Sequence, residues 1–380
     1  MKPKHILVAW LLILAPMAVA QDNTEVDYLA LAALMLRDGN VDRALTALDQ
    51  VDPAAEETDR VRYHTLRGMA HMRRSEHEPA RDAFEQAVAA GEAEAVVHVY
   101  LAQVNYQLED YSGALKALDR AGGAVERVPS IYHMRAQCHW LLDDRVMALA
   151  TLDQAMQAFP DEPGFLRRKV FYLVDLGLFK EAVILGRQYL QRSAGRAEDY
   201  IALGSALRAS GESGEAALLL EQALLLFPAS PEVRKALAHV YIQREQLTAA
   251  ADILHQAALL DPSLMGEAAE LYRRAGQTYR ALTLNAQLTS QPEKLRQRLA
   301  LYLELENFEQ AAAMETPLRR IGLIEDEDLR YAIAYALFKT GEFGAAERHL
   351  AVLTRADLFR KAAELRRAMQ DCRKDRWKCL

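Results

Sequence analysis

Glycine and proline are scarce in this sequence, with 18 and 12 among 380 residues, and aromatic residues make up only 7%. Together with a hydrophobic content of 51%, this composition argues against collagen-like repeats and against long disordered regions. Net positive charge is also lacking, since the formal charge is −7. Nucleic-acid binding requires clustered positive charge against phosphate, so we do not expect a nucleic-acid partner.

The common motifs of catalytic and cofactor sites are missing as well. The sequence contains no HExxH, GxSxG, GxGxxG or P-loop lysine motif. None of its 10 histidines is paired with another at the i+3 or i+4 spacing that a helical metal site uses. We therefore expect a protein that is not an enzyme and that uses neither a cofactor nor a metal.

Long apolar runs are absent except at the N-terminus. There, Lys2 and Lys4 precede an apolar run over residues 6–14, and a group of small residues ends at Ala20. This order is typical of a secretory signal peptide, and the run is shorter than the about 20 apolar residues that cross a bilayer. We predict a signal peptide at residues 1–20, cleaved after Ala20, and a mature chain without a transmembrane segment. An uncleaved anchor or a buried first helix is the alternative.

An internal repeat dominates the rest of the chain. Alanine recurs at intervals close to 34 residues, at Ala44, Ala80, Ala114, Ala148, Ala182, Ala216, Ala250, Ala281, Ala312 and Ala346. Twelve residues before each of them stands a second residue, which is small in nine of the ten cases: Ala32, Gly68, Ala102, Ala136, Val170, Gly204, Ala238, Ala269, Ala300 and Ala334. Small residues at two fixed points let two backbones approach closely, so each period should be a pair of packed amphipathic helices.

The two helices of each pair should be joined by a turn residue with a positive φ angle. We place this residue at Gly39, Gly177, Gly211, Gly276 and Gly341, and at the polar substitutes Glu109, Asp143 and Asn307. Pro160, Pro228 and Pro262 should end second helices, because proline cannot continue a helix. Ser230 and Pro231 should begin the next first helix as its N-cap and first residue.

This order of small, small, Leu or Phe, Ala and Pro in a 34-residue period resembles the tetratricopeptide repeat (TPR) family, over residues 27–354. The resemblance implies an all-α fold, a right-handed α-solenoid of about ten TPR-like helical hairpins spanning residues 21–354. Residues 355–380 should form a C-terminal capping helix, over 357–370, and a basic tail. Several residues depart from the family pattern and leave the local geometry open, namely Gly186 and Tyr189 in the fifth unit and Asn285, Thr316 and Arg319 in the short units eight and nine.

In the TPR family, the first helices line a concave surface that binds extended peptides or helices. Positions three before, one after and four after the small residue of each first helix should face that surface. The resulting partner-binding groove is Met69, Met72, Gln103, Tyr106, His133, Gln137, Trp140, Arg167, Phe171 and Arg208, and the same positions include Ile201, Ser205, Lys235 and His239. In units two to seven these positions hold no carboxylate, and aromatic and Arg side chains dominate binding energy at protein interfaces. The alternative is that some of them pack between helices. The Lys and Asn pattern that clamps a terminal carboxylate in some family members is not visible.

The sequence has 3 cysteines, Cys138, Cys372 and Cys379. Export favours oxidation, and we predict a disulfide between Cys372 and Cys379. Seven residues of continuous helix would separate them by about 10 Å, so the helix should end near Asp371 if they bond. Two free thiols or a metal-binding pair are the alternatives. Cys138 lies within a repeat helix and should be a small buried hydrophobe.

The C-terminal end is basic, with nine Lys or Arg residues against four acids from Arg355 onward. This asymmetry predicts an acidic partner at the tail, and a merely solvated basic cap is the alternative.

Taken together, these features predict a periplasmic, non-enzymatic scaffold of a Gram-negative cell envelope that binds a protein or peptide partner. In length and organisation the chain is similar to TPR proteins that assist TonB-type energised uptake. One alternative is an assembly factor for polysaccharide export, pili or outer-membrane proteins. A thiol oxidoreductase that uses Cys372 and Cys379 is an alternative of another class.

Overall fold

The computed structural model of the protein describes residues 26–91 and 94–374, and its regular structure within these ranges is helical, with no strand. This confirms the predicted all-α fold. The predicted signal peptide and Cys379 lie outside the described residues. A search of the described helices finds none with the length and apolar character needed to cross a bilayer.

The chain divides into two compact units between Phe159 and Pro160. The described part of the first unit is a series of helical hairpins, and each helix packs on the next one along the chain. The helices of this unit are α1 (Tyr28–Arg37), α2 (Val41–Leu48), α3 (Arg60–Arg73), α4 (His77–Ala90), α5 (Ala95–Gln107), α6 (Tyr111–Ala121), α7 (Pro129–Leu141) and α8 (Arg145–Ala158). A short 3-10 helix, Gly122–Val125, follows α6.

The second unit continues the hairpin pattern through its described residues. Its helices are α9 (Pro163–Asp175), α10 (Phe179–Arg192), α11 (Ala197–Ala209), α12 (Ser213–Leu226), α13 (Pro231–Gln243), α14 (Leu247–Ala258), α15 (Met265–Arg274), α16 (Thr278–Asn285), α17 (Gln291–Glu304), α18 (Phe308–Ala313), α19 (Glu315–Arg320), α20 (Glu327–Lys339), α21 (Phe343–Leu350) and α22 (Ala356–Lys374). Two 3-10 helices, Pro262–Leu264 and Leu323–Glu325, precede α15 and α20.

The last helix, α22, packs on α20 and α21 as a cap should. Its apolar side is buried and consists of Leu358, Ala362, Leu365 and Met369. The helix is longer than the predicted 357–370 and continues past Asp371 to the end of the described residues. A terminal helix of this kind covers the apolar end that a stack of repeats would otherwise expose.

The recurring small residues lie where the paired helices touch. Nine of the ten recurring alanines have no exposed surface. A Cβ atom built on Gly68 would come within 2.7 Å of the Phe84 ring, and one on Gly204 within 2.8 Å of Leu220 Cγ. Real Cβ atoms do not approach other atoms this closely, so the small residues are required for the observed helix spacing.

A left-handed residue closes the turn of every hairpin. The predicted glycines and two of the three predicted polar substitutes have positive φ, and so do Ser75 and Glu245, which the sequence did not single out. The N–H of the following residue then donates back to the first helix, as from Asn40 to Met35 O at 2.8 Å. This is the Schellman closure of a helix end, and it fixes the point at which each second helix begins.

The prediction for the ninth unit was wrong by one residue. Its left-handed residue is Glu306, with φ of 56°, whereas Asn307 has φ of −86°. The hairpin therefore pairs Leu299, 1% exposed, with Ala311, 0% exposed, and leaves Ala300 half-buried. The sequence offers three successive alanines here, and the turn decides which of them meets the first helix.

The same shift explains two of the residues that departed from the family pattern. Thr316 and Arg319 are exposed on α19, while Met314 and Leu318 supply the buried positions beside them. The third, Asn285, is fully buried, but its amide donates to Lys294 O at 3.0 Å and accepts from Arg298 Nε at 2.9 Å. A buried amide with these partners is satisfied, so it does not disrupt the joint.

In the fifth unit, each of the two departures makes its own contact with the next first helix, α11. A Cβ on Gly186 would lie 2.7 Å from Leu203 Cδ1, so the missing side chain makes room for a leucine of the next first helix. Tyr189, in a position where other units have alanine, is buried and donates its hydroxyl to Asp199 at 3.1 Å.

Gly204→Val tests the close approach of the paired helices. The added side chain would overlap Leu220 at a buried contact, and overpacking of this kind costs about 1–3 kcal/mol of unfolding free energy. Gly214→Ala is the matched control, because nothing lies within 4 Å of its Cβ position, and alanine should raise helix stability by up to about 1 kcal/mol. Urea unfolding followed by circular dichroism measures both. Equal midpoints for Gly204→Val and the wild type would contradict the packing described.

Candidate functional site

In the first unit, the seven predicted groove residues lie on the first helices α3, α5 and α7, beside the buried small residue of each helix. All seven of them are half-buried rather than enclosed: Met69, Met72, Gln103, Tyr106, His133, Gln137 and Trp140. Met69 and Met72 also pack against the apolar core, so part of their surface is used in folding. We call the corresponding positions of all first helices the first-helix face.

Aromatic residues of the first-helix face rest on the start of the second helix of their own hairpin. The Tyr106 ring lies edge-on to the ring of Tyr111 at 5.6 Å. The Arg145 guanidinium lies 3.9 Å from the centre of the Trp140 ring and donates to its backbone oxygen at 2.7 Å. These contacts hold each ring in place while leaving part of it open to solvent.

In the second unit, the predicted groove residue Arg167 is already engaged within the fold. Its Nε donates to Asp199 Oδ1 at 2.6 Å, and its guanidinium lies 4.9 Å from the Phe171 ring centre. The Asp199 side chain is only 4% exposed and also accepts from Tyr189 and from the Arg196 backbone N–H. The predicted groove residues include no carboxylate, but the structure places Asp199 beside Arg167. This arginine therefore stabilises the packing between hairpins and is not a free surface group.

The sequence contains a signal for the helix-capping role of Asp199 but none for its pairing with Arg167. Asp199 is the third residue of α11, where an acidic side chain caps the helix by accepting the N–H of Arg196. Its other oxygen reaches Arg167, 32 residues earlier in the chain. Pairing over nearly one repeat can be recognised only when the spacing between neighbouring hairpins is known.

Other residues of the first-helix face come together between α11 and α13. Ile201, Ser205 and Arg208 of α11 and Lys235 and His239 of α13 line one cavity of about 240 Å³. We call it the α11–α13 cleft. Its remaining lining consists of Leu220, Glu232, Ala236 and Val240. Arg208, Lys235 and His239 are exposed, and none of them forms an ion pair within the described ranges.

The cysteines do not form a reactive site in the described part of the chain. Cys138 has no exposed surface, which confirms its predicted role as a buried hydrophobe, and burial raises the pKa of its thiol to about 11. Cys372 is buried on α22. Since Cys379 lies outside the described residues, the disulfide between them stays a prediction. No group of three or more His, Cys, Asp or Glu side chains in the described ranges is placed to hold a metal ion.

Arg167→Met tests the role of the Arg167–Asp199 pair. The change leaves a buried carboxylate without its counter-ion and should lower the unfolding free energy by about 3 kcal/mol. Arg208→Met is the matched control, because Arg208 is exposed and unpaired, and it should change stability by no more than about 0.5 kcal/mol. Adding Asp199→Asn to Arg167→Met should recover part of the loss. Denaturant unfolding measures all three variants, and equal effects of the two arginine changes would contradict the assignment.

Comparisons with known proteins agree with this architecture. Residues 207–275 match the family model of the tetratricopeptide repeat, and residues 11–98 match that of a tetratricopeptide repeat-like domain. No curated protein sequence matches the chain.

Several solved structures are similar. The C-terminal part of a TPR repeat-containing protein from Cytophaga hutchinsonii is 13% identical, with a TM-score of 0.53, over 62% of this chain and 95% of that chain. YrrB, a TPR protein with an unusual peptide-binding site, is 18% identical, with a TM-score of 0.42, over 52% of this chain and 100% of that one. PilF of Pseudomonas aeruginosa is 16% identical, with a TM-score of 0.42, over 56% and 96%. The first likeness supports the fold, and the two family matches together with the stacked hairpins make this chain a tetratricopeptide-repeat protein.

Proposed function

We propose that this protein is a non-catalytic scaffold of the periplasm that binds a protein or peptide partner on its first-helix face. TPR proteins are generally non-catalytic and bind protein partners, which supports the general role. The observation that carries the site is the burial pattern of the first helices. In units two to seven, the residues at the small positions of the first helices are buried, while the predicted groove residues around them are half-buried or exposed and consist of aromatic, Met, Gln, His and Arg side chains.

The periplasmic location rests on the signal-peptide pattern of residues 1–20. Within the envelope, the finer proposal is an accessory role in TonB-type energised uptake, supported by similarity of length and organisation to TPR proteins of such systems. Assembly of exported polysaccharide, pili or outer-membrane proteins is the alternative, and the identity of the captured partner decides between them.

Export is tested with the full-length chain in a Gram-negative host. Osmotic shock should release the protein, and N-terminal sequencing should begin at Gln21. Leu12→Arg places a charge in the apolar run and should retain the chain in the cytoplasm, because the run must be apolar to be recognised. Cytoplasmic and periplasmic marker enzymes provide the controls. Retention of the unaltered chain in the cytoplasm, with Met1 intact, would rule out the proposed location.

The binding face is tested by capture from an envelope extract, with the partner identified by mass spectrometry. Trp140→Ala combined with Arg208→Ala removes one aromatic and one unpaired cation from the face. Since a good hot spot contributes about 2 kcal/mol, retention of a specific partner should fall by at least about tenfold. Arg167 is left intact because its loss would disturb folding.

The matched control is Tyr279→Ala combined with Lys180→Ala, an exposed aromatic and an exposed cation on second helices. It should retain the partner at the wild-type level. If both double variants recover the same partners as the wild type, the first-helix face is not the binding site.

A further inference from the structure

A break in the charge pattern of the second unit identifies one special place on the first-helix face. Elsewhere in this unit, arginines pair with carboxylates about one repeat further along the chain. Arg167 bonds Asp199, 32 residues later, and Arg273 bonds Glu304, 31 residues later. Each of these pairs neutralises a cation between neighbouring hairpins.

Arg208 has no such counterpart. The residue 31 positions after it is His239, and the neighbouring cation on α13 is Lys235. All three side chains line the α11–α13 cleft. The Arg167 and Arg273 pairs each join a cation of one hairpin to an acid of the next. Between α11 and α13, two cations and a histidine line one cavity instead.

No acid of the described ranges forms an ion pair with Arg208 or Lys235, although the carboxylate of Glu232 also lines the cleft and leaves the three charged side chains with a net charge of +1. Glu232 is the one carboxylate among its described lining residues, and it accepts a hydrogen bond from Ser230 Oγ at 2.7 Å. Asp261 lies within the electrostatic reach of Lys235, but it accepts from the backbone N–H and the hydroxyl of Ser263 at 3.0 and 2.7 Å. Arg208 and Lys235 thus keep their donors available to a ligand.

The cleft also has an apolar part. Ile201 and Ala236 are half-buried and offer apolar surface to the cleft, and the buried Leu220 and Val240 complete its apolar lining. A ligand that fills the cleft must therefore present an apolar group next to its anionic group. A peptide with neighbouring acidic and apolar residues meets both requirements, whereas a bare phosphate meets only one.

We propose that the α11–α13 cleft binds a carboxylate-bearing segment of the partner protein, with the carboxylate against Arg208 and Lys235 and an apolar side chain against Ile201 and Ala236. This inference rests on the proposed function and adds the chemical class of the ligand. The whole chain has a net charge of −7, so its overall field disfavours an acidic segment, the basic C-terminal end apart. The positive charge of this cleft on a negatively charged chain would then determine where the acidic segment binds and which of its residues enters the cleft.

The test uses fluorescence anisotropy on the mature full-length chain with labelled synthetic peptides. The probe is a short peptide of alternating glutamate and leucine, acetylated and amidated, and its partner has glutamine in place of every glutamate. A third peptide has serine in place of leucine, and a fourth has a free C-terminal carboxylate. The proposal expects the glutamate probe to bind at least about tenfold more tightly than the glutamine and serine peptides, and less tightly as salt rises.

The protein variant is Arg208→Gln combined with Lys235→Gln, which should weaken binding of the glutamate probe by at least about tenfold. The matched control, Lys116→Gln combined with Lys180→Gln, removes two exposed cations of second helices and should bind like the wild type. The free-terminus peptide distinguishes the source of the carboxylate, because a clear gain over the amidated probe assigns the cleft to a chain end.

The proposal is overturned by equal binding of the glutamate and glutamine peptides, by unchanged affinity of the Arg208 and Lys235 variant, or by no binding of any peptide up to about 1 mM. The proposed function is judged separately. A partner captured through the first-helix face and insensitive to the Lys235→Gln change would leave that function standing and remove only the acidic ligand.

Discussion

The close approach of paired helices at small residues is the constraint on which the rest of this structure depends. Where the recurring alanines and Gly68 or Gly204 lie, no space remains for larger side chains. The positions three before, one after and four after a small residue lie about 40–100° from it around the helix axis, because an α-helix turns by about 100° per residue, so they border the buried contact. The first-helix face is therefore a geometric consequence of the packing, and its exposure does not depend on what it binds.

This constraint also explains how much of the fold the sequence could predict. The spacing of alanines and the turn residues predicted the hairpins, the terminal helix and most of the turns. The turn of the ninth unit was predicted one residue too late, at Asn307 instead of Glu306, because three successive alanines satisfy the spacing equally well. The turn at Glu306 resolves that choice through its hydrogen bonds, and a repeat period alone carries no information about it.

The candidate site was predictable to a different degree. Helical spacing predicted which positions would be accessible, but it could not distinguish Arg167 from Arg208. Both are arginines on the first-helix face, yet one contacts a buried carboxylate and the other faces a cation and a histidine. The difference depends on residues about one repeat away in sequence, and these meet only because neighbouring hairpins pack at a fixed spacing. Residue type therefore indicates a possible binding role, and the pairing between hairpins decides whether the side chain is available for it.

Apart from Arg167–Asp199, whose carboxylate is buried, the ion pairs between hairpins are exposed and contribute little to stability. Exposed pairs of this kind typically contribute no more than about 1 kcal/mol each, so losing one at the α11–α13 joint costs the fold little. Leaving Arg208 and Lys235 unpaired in solvent is tolerable for the same reason, since water and salt screen their mutual repulsion. A partner's carboxylate in the cleft would relieve that repulsion and exclude water from the apolar residues beside it. The contact between α11 and α13 lacks ion pairs of its own, and for that reason it can favour an external carboxylate. Binding there would leave the ion pairs of the neighbouring hairpins unchanged.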